Sequence, residues 1–251
     1  MLIMFNFDYI FVCGDIHGDL DIIPNFLKNK DLKNCAIIVA GDFGVGFDDV
    51  IKEDRKMNHL NNRLKKYNST IFAVRGNHDD PNYFNGELDI NKEYVKFVND
   101  YSVLEINGWN ILCVGGATSI DRTNRKRYIL GKGRDWWKDE VFVYDEDKAN
   151  NLKNIDFVIT HTAPNFTYPF VKVGLDYWEN RDIHLNGDLE KERNDATKLY
   201  ENLYKNGNKI IKWYYGHFHM TKTLLFNNTE FNCVDINEIK ELFYLNNKNY
   251  D

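Results

Sequence analysis

Proline is scarce, four in 251 residues, and no linker-like stretch interrupts the chain, which excludes collagen-like and linker-type proteins. Cysteine is as sparse: Cys13, Cys35, Cys113 and Cys233 stand far apart with no CxxC pair, so neither a thiolate zinc site nor a disulfide framework is expected. No apolar run approaches the roughly 18 to 20 residues of a membrane-spanning helix. The first residues, MLIMFNFDYIFVCGD, lack a positive leader region and carry Asp8 in mid-stretch, so they do not read as a cleavable signal. Positive charge is not in excess either: 32 Lys plus Arg against 38 Asp plus Glu leaves a net charge of −6. A protein that coats long nucleic acid carries the opposite balance, because that affinity comes from cations displacing counterions along phosphates. These absences predict a soluble, cytoplasmic protein with reduced thiols, no membrane partner, and at most a local basic site.

What remains is an ordinary globular composition, 43% apolar and 28% charged, long enough for a full core without staples. Neither repeats nor linkers divide it, so one domain over residues 1–251 is expected. Five short apolar or β-branched runs read as strands: Tyr9–Cys13, Ala36–Ala40, Thr70–Val74, Phe157–Thr160 and Ile210–Tyr215. Helical stripes alternate with them. Leu20, Ile23 and Leu27 keep i, i+3, i+7 spacing with Asp21 as the expected cap, and Met57, Leu60, Leu64 and Tyr67 form a second stripe. Further helices are expected at 145–153 and through Leu189, Ala196, Leu199, Tyr200 and Leu203. Strand–helix alternation implies parallel crossovers. Two hairpins break the pattern, one around Asn107-Gly108 and one around Asn227-Asn228. Residues 119–140 and 163–187 fit no regular pattern, and the closing ELFYLNNKNYD reads as a frayed end.

The chemistry gathers immediately after the five strands. The first is followed by Gly14-Asp15-Ile16-His17-Gly18, the second by Gly41-Asp42-Phe43-Gly44, and the third by Arg75-Gly76-Asn77-His78-Asp79. The fourth ends at His161 and the fifth at Gly216-His217-Phe218-His219. Of seven histidines, only His59 and His184 lie elsewhere, and both read as structural or surface residues. Side chains at the carboxyl ends of parallel strands converge in one crevice however far apart they are in sequence. Imidazole suits Zn, Mn, Fe or Ni, and carboxylate suits harder ions. So many ligands exceed what one tetrahedral ion uses. The economical reading is two divalent ions sharing a carboxylate, which acidify a water and clamp phosphate oxygens, with phosphate ester hydrolysis as the leading reaction class.

These ordered blocks resemble the calcineurin-like metallophosphoesterase superfamily over residues 9–219. The resemblance implies a four-layer α/β/β/α sandwich of two mixed sheets with flanking helices, the segments near 102–114 and 223–234 belonging to the second sheet. It implies that Asp15, His17 and His219 hold one ion and Asn77, His161 and His217 the other, with Asp42 bridging. The ions would be Mn first, with Fe, Zn or Ni as alternatives. His78 would sit beside the phosphate as a catalytic group, oriented by Asp79, and a metal-bridging hydroxide would attack phosphorus. The reaction implied is hydrolysis of a phosphomonoester or phosphodiester in a small molecule, nucleotide or phosphoprotein.

The chain also departs from relatives in that superfamily. Gly41-Asp42 continues as Phe43-Gly44-Val45-Gly46, without the Asp-Arg-Gly or Asn-Arg-Gly of protein phosphatases and diadenosine tetraphosphatases, and Val45 stands where purple acid phosphatases place a tyrosine ligand. Cationic contacts to substrate fall instead to Arg75, Arg122, Arg125 and Arg127, and Trp136 and Trp137 are candidates to stack on a base or wall the pocket. Two other readings stand beside the hydrolase of small phosphoesters: a nuclease or cyclic-nucleotide diesterase, and a non-catalytic scaffold that kept the fold. A long nucleic acid is disfavoured by charge, and a scaffold by the presence of every ligand.

Overall fold

The computed structural model describes residues 5–128, 135–168 and 174–242. In chain order its elements are β1 (Tyr9–Cys13), α1 (Ile22–Asn29), β2 (Cys35–Val39), α2 (Val50–Lys65), β3 (Thr70–Ala73), β4 (Val95–Phe97), β5 (Ser102–Ile106), β6 (Trp109–Val114), α3 (Arg122–Tyr128), α4 (Glu146–Asn150), β7 (Phe157–Thr160), α5 (Leu175–Glu179), α6 (Leu185–Lys205), β8 (Lys212–Tyr215), β9 (Lys222–Phe226), β10 (Thr229–Cys233) and β11 (Ile239–Glu241).

The strands form two mixed sheets, ordered β11-β1-β2-β3-β4 and β5-β6-β7-β8-β10-β9. Because side chains alternate across a strand, β1 sends Ile10 and Val12 to one face and Phe11 and Cys13 to the other. Both faces are covered, which is why the strands read as continuous apolar runs. Ile10, Val12, Ile38 and Phe72 of one sheet pack on Ile111, Phe157, Ile159 and Tyr214 of the other. The outer face of the first sheet meets Ile23 and Leu27 of α1 and Met57, Leu60 and Leu64 of α2. The outer face of the second meets Ala149 of α4 and Ala196, Leu199 and Leu203 of α6. The result is the four-layer α/β/β/α sandwich.

Local chemistry explains most element boundaries. Asp49 caps α2 by accepting from the Lys52 N–H at 3.0 Å, and Asp145 caps α4 by accepting from Lys148 N–H at 2.9 Å. Asp21 does not act as the expected cap: its own backbone is already helical and its side chain makes no capping bond. Asn107 and Gly108 both have positive φ, as do Asn227 and Asn228, so each pair closes a two-residue hairpin, between β5 and β6 and between β9 and β10. The tail is more ordered than expected at its start. Glu241 pairs with Phe11 and Leu242 is buried between the sheets, while residues 243–251 lie outside the described residues. All four cysteines are buried free thiols. Among the described residues no helix is long and apolar enough to cross a membrane.

Candidate metal centre

Three of the five chemistry-bearing strand ends belong to the first sheet (β1, β2, β3) and two to the second (β7, β8), so the crevice lies across the ends of both. The turns that leave these strands are tight. His17, Asp42, His217 and His219 all adopt positive φ, between 45° and 66°, which side chains other than glycine rarely tolerate. Such strain persists where the surroundings over-determine it, and here four such positions meet in one place.

Asp15, His17, Asp42 and His219 each offer one donor atom, all within 4.8 Å of one another, a set able to hold a metal ion. Asp15 is 0% exposed and Asp42 1%. His219 Nε2 lies 3.1 Å from Asp15 Oδ2, which raises the His219 pKa. The N–H of His78 donates to Asp42 Oδ1 at 2.7 Å. Burial opposes ionisation of Asp42, but the His161, His78 and His17 rings outweigh it and hold the carboxyl well below the usual range.

Asn77, His161 and His217 converge on the other side of Asp42. His161 Nδ1 is 2.8 Å from the Ala40 carbonyl, an acceptor only, so that nitrogen carries the proton. Its Nε2 lies 3.0 Å from Asn77 Oδ1 and 3.2 Å from Asp42 Oδ1. Three atoms bearing lone pairs therefore face one another, and only a cation or a second ring proton can join them. Burial opposes a charged His161, yet Asp42 and Asp15 raise its pKa to about 10, so in the metal-free chain the extra proton fills that gap. His217 Nε2 is buried with no hydrogen-bond partner, and burial together with His161 holds the ring neutral. A buried nitrogen left unpaired is costly unless something coordinates it. The donor set therefore fits divalent cations.

Over these donor side chains opens a cavity of about 440 Å³ that His78, Ile120, Asp121, Arg125, Trp178 and Phe218 help to line. A guanidinium nitrogen of Arg125 lies against the His78 ring, 3.1 Å from Nδ1, while its Nε pairs with Asp121 at 2.8 Å. Burial lowers the His78 pKa to about 4, with Arg125 reinforcing it against the pull of Asp42.

The remaining sequence-predicted residues lie elsewhere. The Asp79 carboxylate turns away from His78 and accepts backbone N–H bonds from Gly44 and Gly76 at 2.7 Å and from Phe43 and Val45 at 3.2 Å. It orders the loop around Asp42 rather than the His78 ring. Arg75 is buried below the cavity, donating to the carbonyls of Asp139, Glu140 and Val141 and pairing with Asp100 at 2.8 Å. Arg122 lies behind the cavity, bonded to Asp182 at 2.7 Å and Asp188 at 2.6 Å. Neither arginine faces the ligands, because each is already satisfied by acceptors of its own. The Arg127 side chain lies outside the described residues. Trp137 packs edge-on against Phe47 at 5.3 Å, and Trp136 carries the Lys126 ammonium 4.2 Å over its ring. Neither tryptophan lines the cavity. His59 and His184 are exposed and do not line the cavity.

Sequence reasoning missed Ser119, Asp121 and Glu140, all within a segment that showed no periodicity. The one available signal was the length of that segment, since long irregular loops in a compact fold are often functional.

The calcineurin-like phosphoesterase family matches residues 9–221 of the chain. Among solved structures the chain is similar to the protein TT1561 of Thermus thermophilus, at 12% identity over 92% of this chain and 91% of that one, with a TM-score of 0.50. It is also similar to phosphopantetheinyl hydrolase (PptH) from Mycobacterium tuberculosis, at 14% identity over 97% and 99% of the two chains, with a TM-score of 0.46. No curated protein matches the sequence. The likeness to TT1561 bears on the fold alone.

Proposed function

The chain belongs to the calcineurin-like phosphoesterase family and is a metal-dependent hydrolase, and from that premise we propose that it cleaves a phosphomonoester or phosphodiester of a small phosphorylated molecule or nucleotide at a two-metal site. Asp15, His17 and His219 would hold one ion, Asn77, His161 and His217 the other, and Asp42 would touch both. Manganese suits this mixture of imidazole, carboxylate and amide oxygen. Two ions held there would supply Lewis acidity toward water and neutralise charge on the phosphate oxygens.

The chain's own residues do the rest. His78 lines the cavity and, held neutral by burial, is placed to hydrogen-bond the phosphate or the leaving oxygen as charge develops there. Arg125, the one predicted arginine that lines the cavity, offers its guanidinium to a non-bridging phosphate oxygen. Asp79, through four amides, keeps the Asp42 turn and the Asn77 turn in register. Arg122 is neutralised by two carboxylates and so adds no free cation beside Arg125, which together with the net charge of −6 favours a small substrate over a long nucleic acid.

The observation that carries this reading is the convergence of Asn77 Oδ1, His161 Nε2 and Asp42 Oδ1 beside a second cluster already able to bind an ion. The test is manganese titration of the metal-free protein, followed by hydrolysis of p-nitrophenyl phosphate and of its bis ester. Two bound ions with turnover of either compound are expected. A single bound ion overturns the two-metal site, and two ions without turnover of these esters or a nucleotide panel favour the scaffold reading.

A further inference from the structure

Glu140 is a buried carboxylate that, among the described residues, makes no ion pair; the Arg125 guanidinium acts on it only through space. It is 1% exposed, and so is Ser119, the residue that occupies both of its oxygens. The Ser119 N–H donates to Oε1 at 2.8 Å and the Ser119 hydroxyl to Oε2 at 2.9 Å. The Asn77 amide nitrogen in turn donates to Ser119 Oγ at 3.0 Å. The backbone that carries Glu140 is clamped: its carbonyl accepts from Arg75 at 2.7 Å and from the Ala117 N–H at 3.0 Å.

Hydrogen-bond polarity runs one way along this chain. With the Ser119 N–H on Oε1, the Ser119 hydroxyl spends its one proton on Oε2 and presents lone pairs to Asn77. Those lone pairs attract the amide nitrogen. The amide oxygen is then forced to the opposite side, where it faces His161 Nε2. We propose that Glu140 is a positioning residue which, through Ser119, holds the Asn77 amide with its oxygen rather than its NH2 group toward the second cation. The inference rests on the reading of Asn77 as a ligand.

Burial raises the Glu140 carboxyl to about 7, so the fold keeps it there against a real desolvation cost. A hydrophobic residue of similar size would fill the space without that cost. It would leave the Ser119 hydroxyl free to rotate and donate toward Asn77, and an amide turned around would aim two N–H groups at the metal.

The test uses Glu140→Gln and Ser119→Ala in the full chain, with Asn77→Ala as reference, each titrated with MnCl2 and followed by calorimetry and by the electron paramagnetic resonance of the exchange-coupled manganese pair. Glutamine offers one acceptor and one donor to two Ser119 donors, so one bond must fail. Affinity for the second ion is expected to fall about 10- to 100-fold in Glu140→Gln and in Ser119→Ala, with the first ion unaffected and the coupled signal lost at low manganese. In the Asn77→Ala background, Glu140→Gln is expected to weaken the second ion no further, whereas a merely structural role would lower affinity in either background. An unchanged second site in Glu140→Gln and Ser119→Ala, with Asn77→Ala weakened, overturns the positioning role alone. An unchanged second site in Asn77→Ala overturns the ligand assignment and the relay with it.

Discussion

The backbone N–H of His217 donates to both carboxylate oxygens of Asp15, at 3.1 and 3.2 Å, tying the end of one sheet to the end of the other. The bond exists because Gly216 has no side chain: a Cβ there would fall on Asp15 Oδ1. Gly216→Ala is therefore expected to push the Asp15 carboxylate out of its place, weakening metal binding about 10-fold or more. The overpacking should cost about 1 to 3 kcal/mol of stability. Metal titration and urea unfolding of the one variant check both, and an alanine that leaves metal affinity intact would show that Asp15 is not a ligand.

Asp79 and His78 are neighbours with opposite work. Removing the Asp79 carboxylate strands the amides of Phe43, Gly44, Val45 and Gly76, so Asp79→Ala is expected to destabilise by about 3 to 5 kcal/mol in urea unfolding. His78→Ala should stay within about 1 kcal/mol of the parent, keep its full metal content by elemental analysis, and lose about 10²- to 10⁴-fold in kcat. Loss of metal from His78→Ala would reverse these roles.

Two arginines three residues apart separate in the same manner. Arg125→Ala should raise KM and lower kcat/KM about 10- to 100-fold, since its guanidinium lines the cavity. Arg122→Ala should leave KM unchanged and act on stability through Asp182, whose carboxyl is lowered to about 2 by its hydrogen bond to Arg122. A depressed carboxyl stabilises above its unfolded pKa of about 3.9 and loses that contribution as pH falls toward 2, about 2 kcal/mol in all. Acid unfolding of the parent should show this loss between about pH 4 and pH 2. Asp182→Asn should be less stable at neutral pH and should not show that step.

How far the sequence reaches follows from which interactions are local. The convergence of the donor side chains was legible because each sits directly after an apolar run that reads as a buried strand, and strand ends converge by topology. The hairpins were legible because Asn-Gly and Asn-Asn state their own backbone angles. Asp79 was misread because adjacency to His78 in sequence suggests contact, while three of the four amides it serves lie 34 to 36 residues away. Arg75 was misread likewise, its acceptors lying in the 139–141 strap. Glu140 left no trace in periodicity, being 21 residues from Ser119 and on no regular element. The short edge strands β4 and β11 were missed because three residues carry too little pattern, and what holds them is the neighbour they pair with.

Metal removal tests the electrostatics of the whole centre. The chain buries Asp15, Asp42 and His161 completely and leaves His217 Nε2 without a partner, so cations bound there should stabilise the native state alone. Chelation is expected to lower the melting temperature, and manganese at 100 times its Kd to restore about 2.7 kcal/mol for each ion bound. His219→Ala should remove one of two such increments, because it touches only the Asp15 cluster. Asp42→Asn should remove both, because its carboxylate lies within reach of His17 and of His161. A parent melting temperature indifferent to manganese would mean that the second proton on His161 already satisfies the two carboxylates, and that the donor atoms meet for structural reasons.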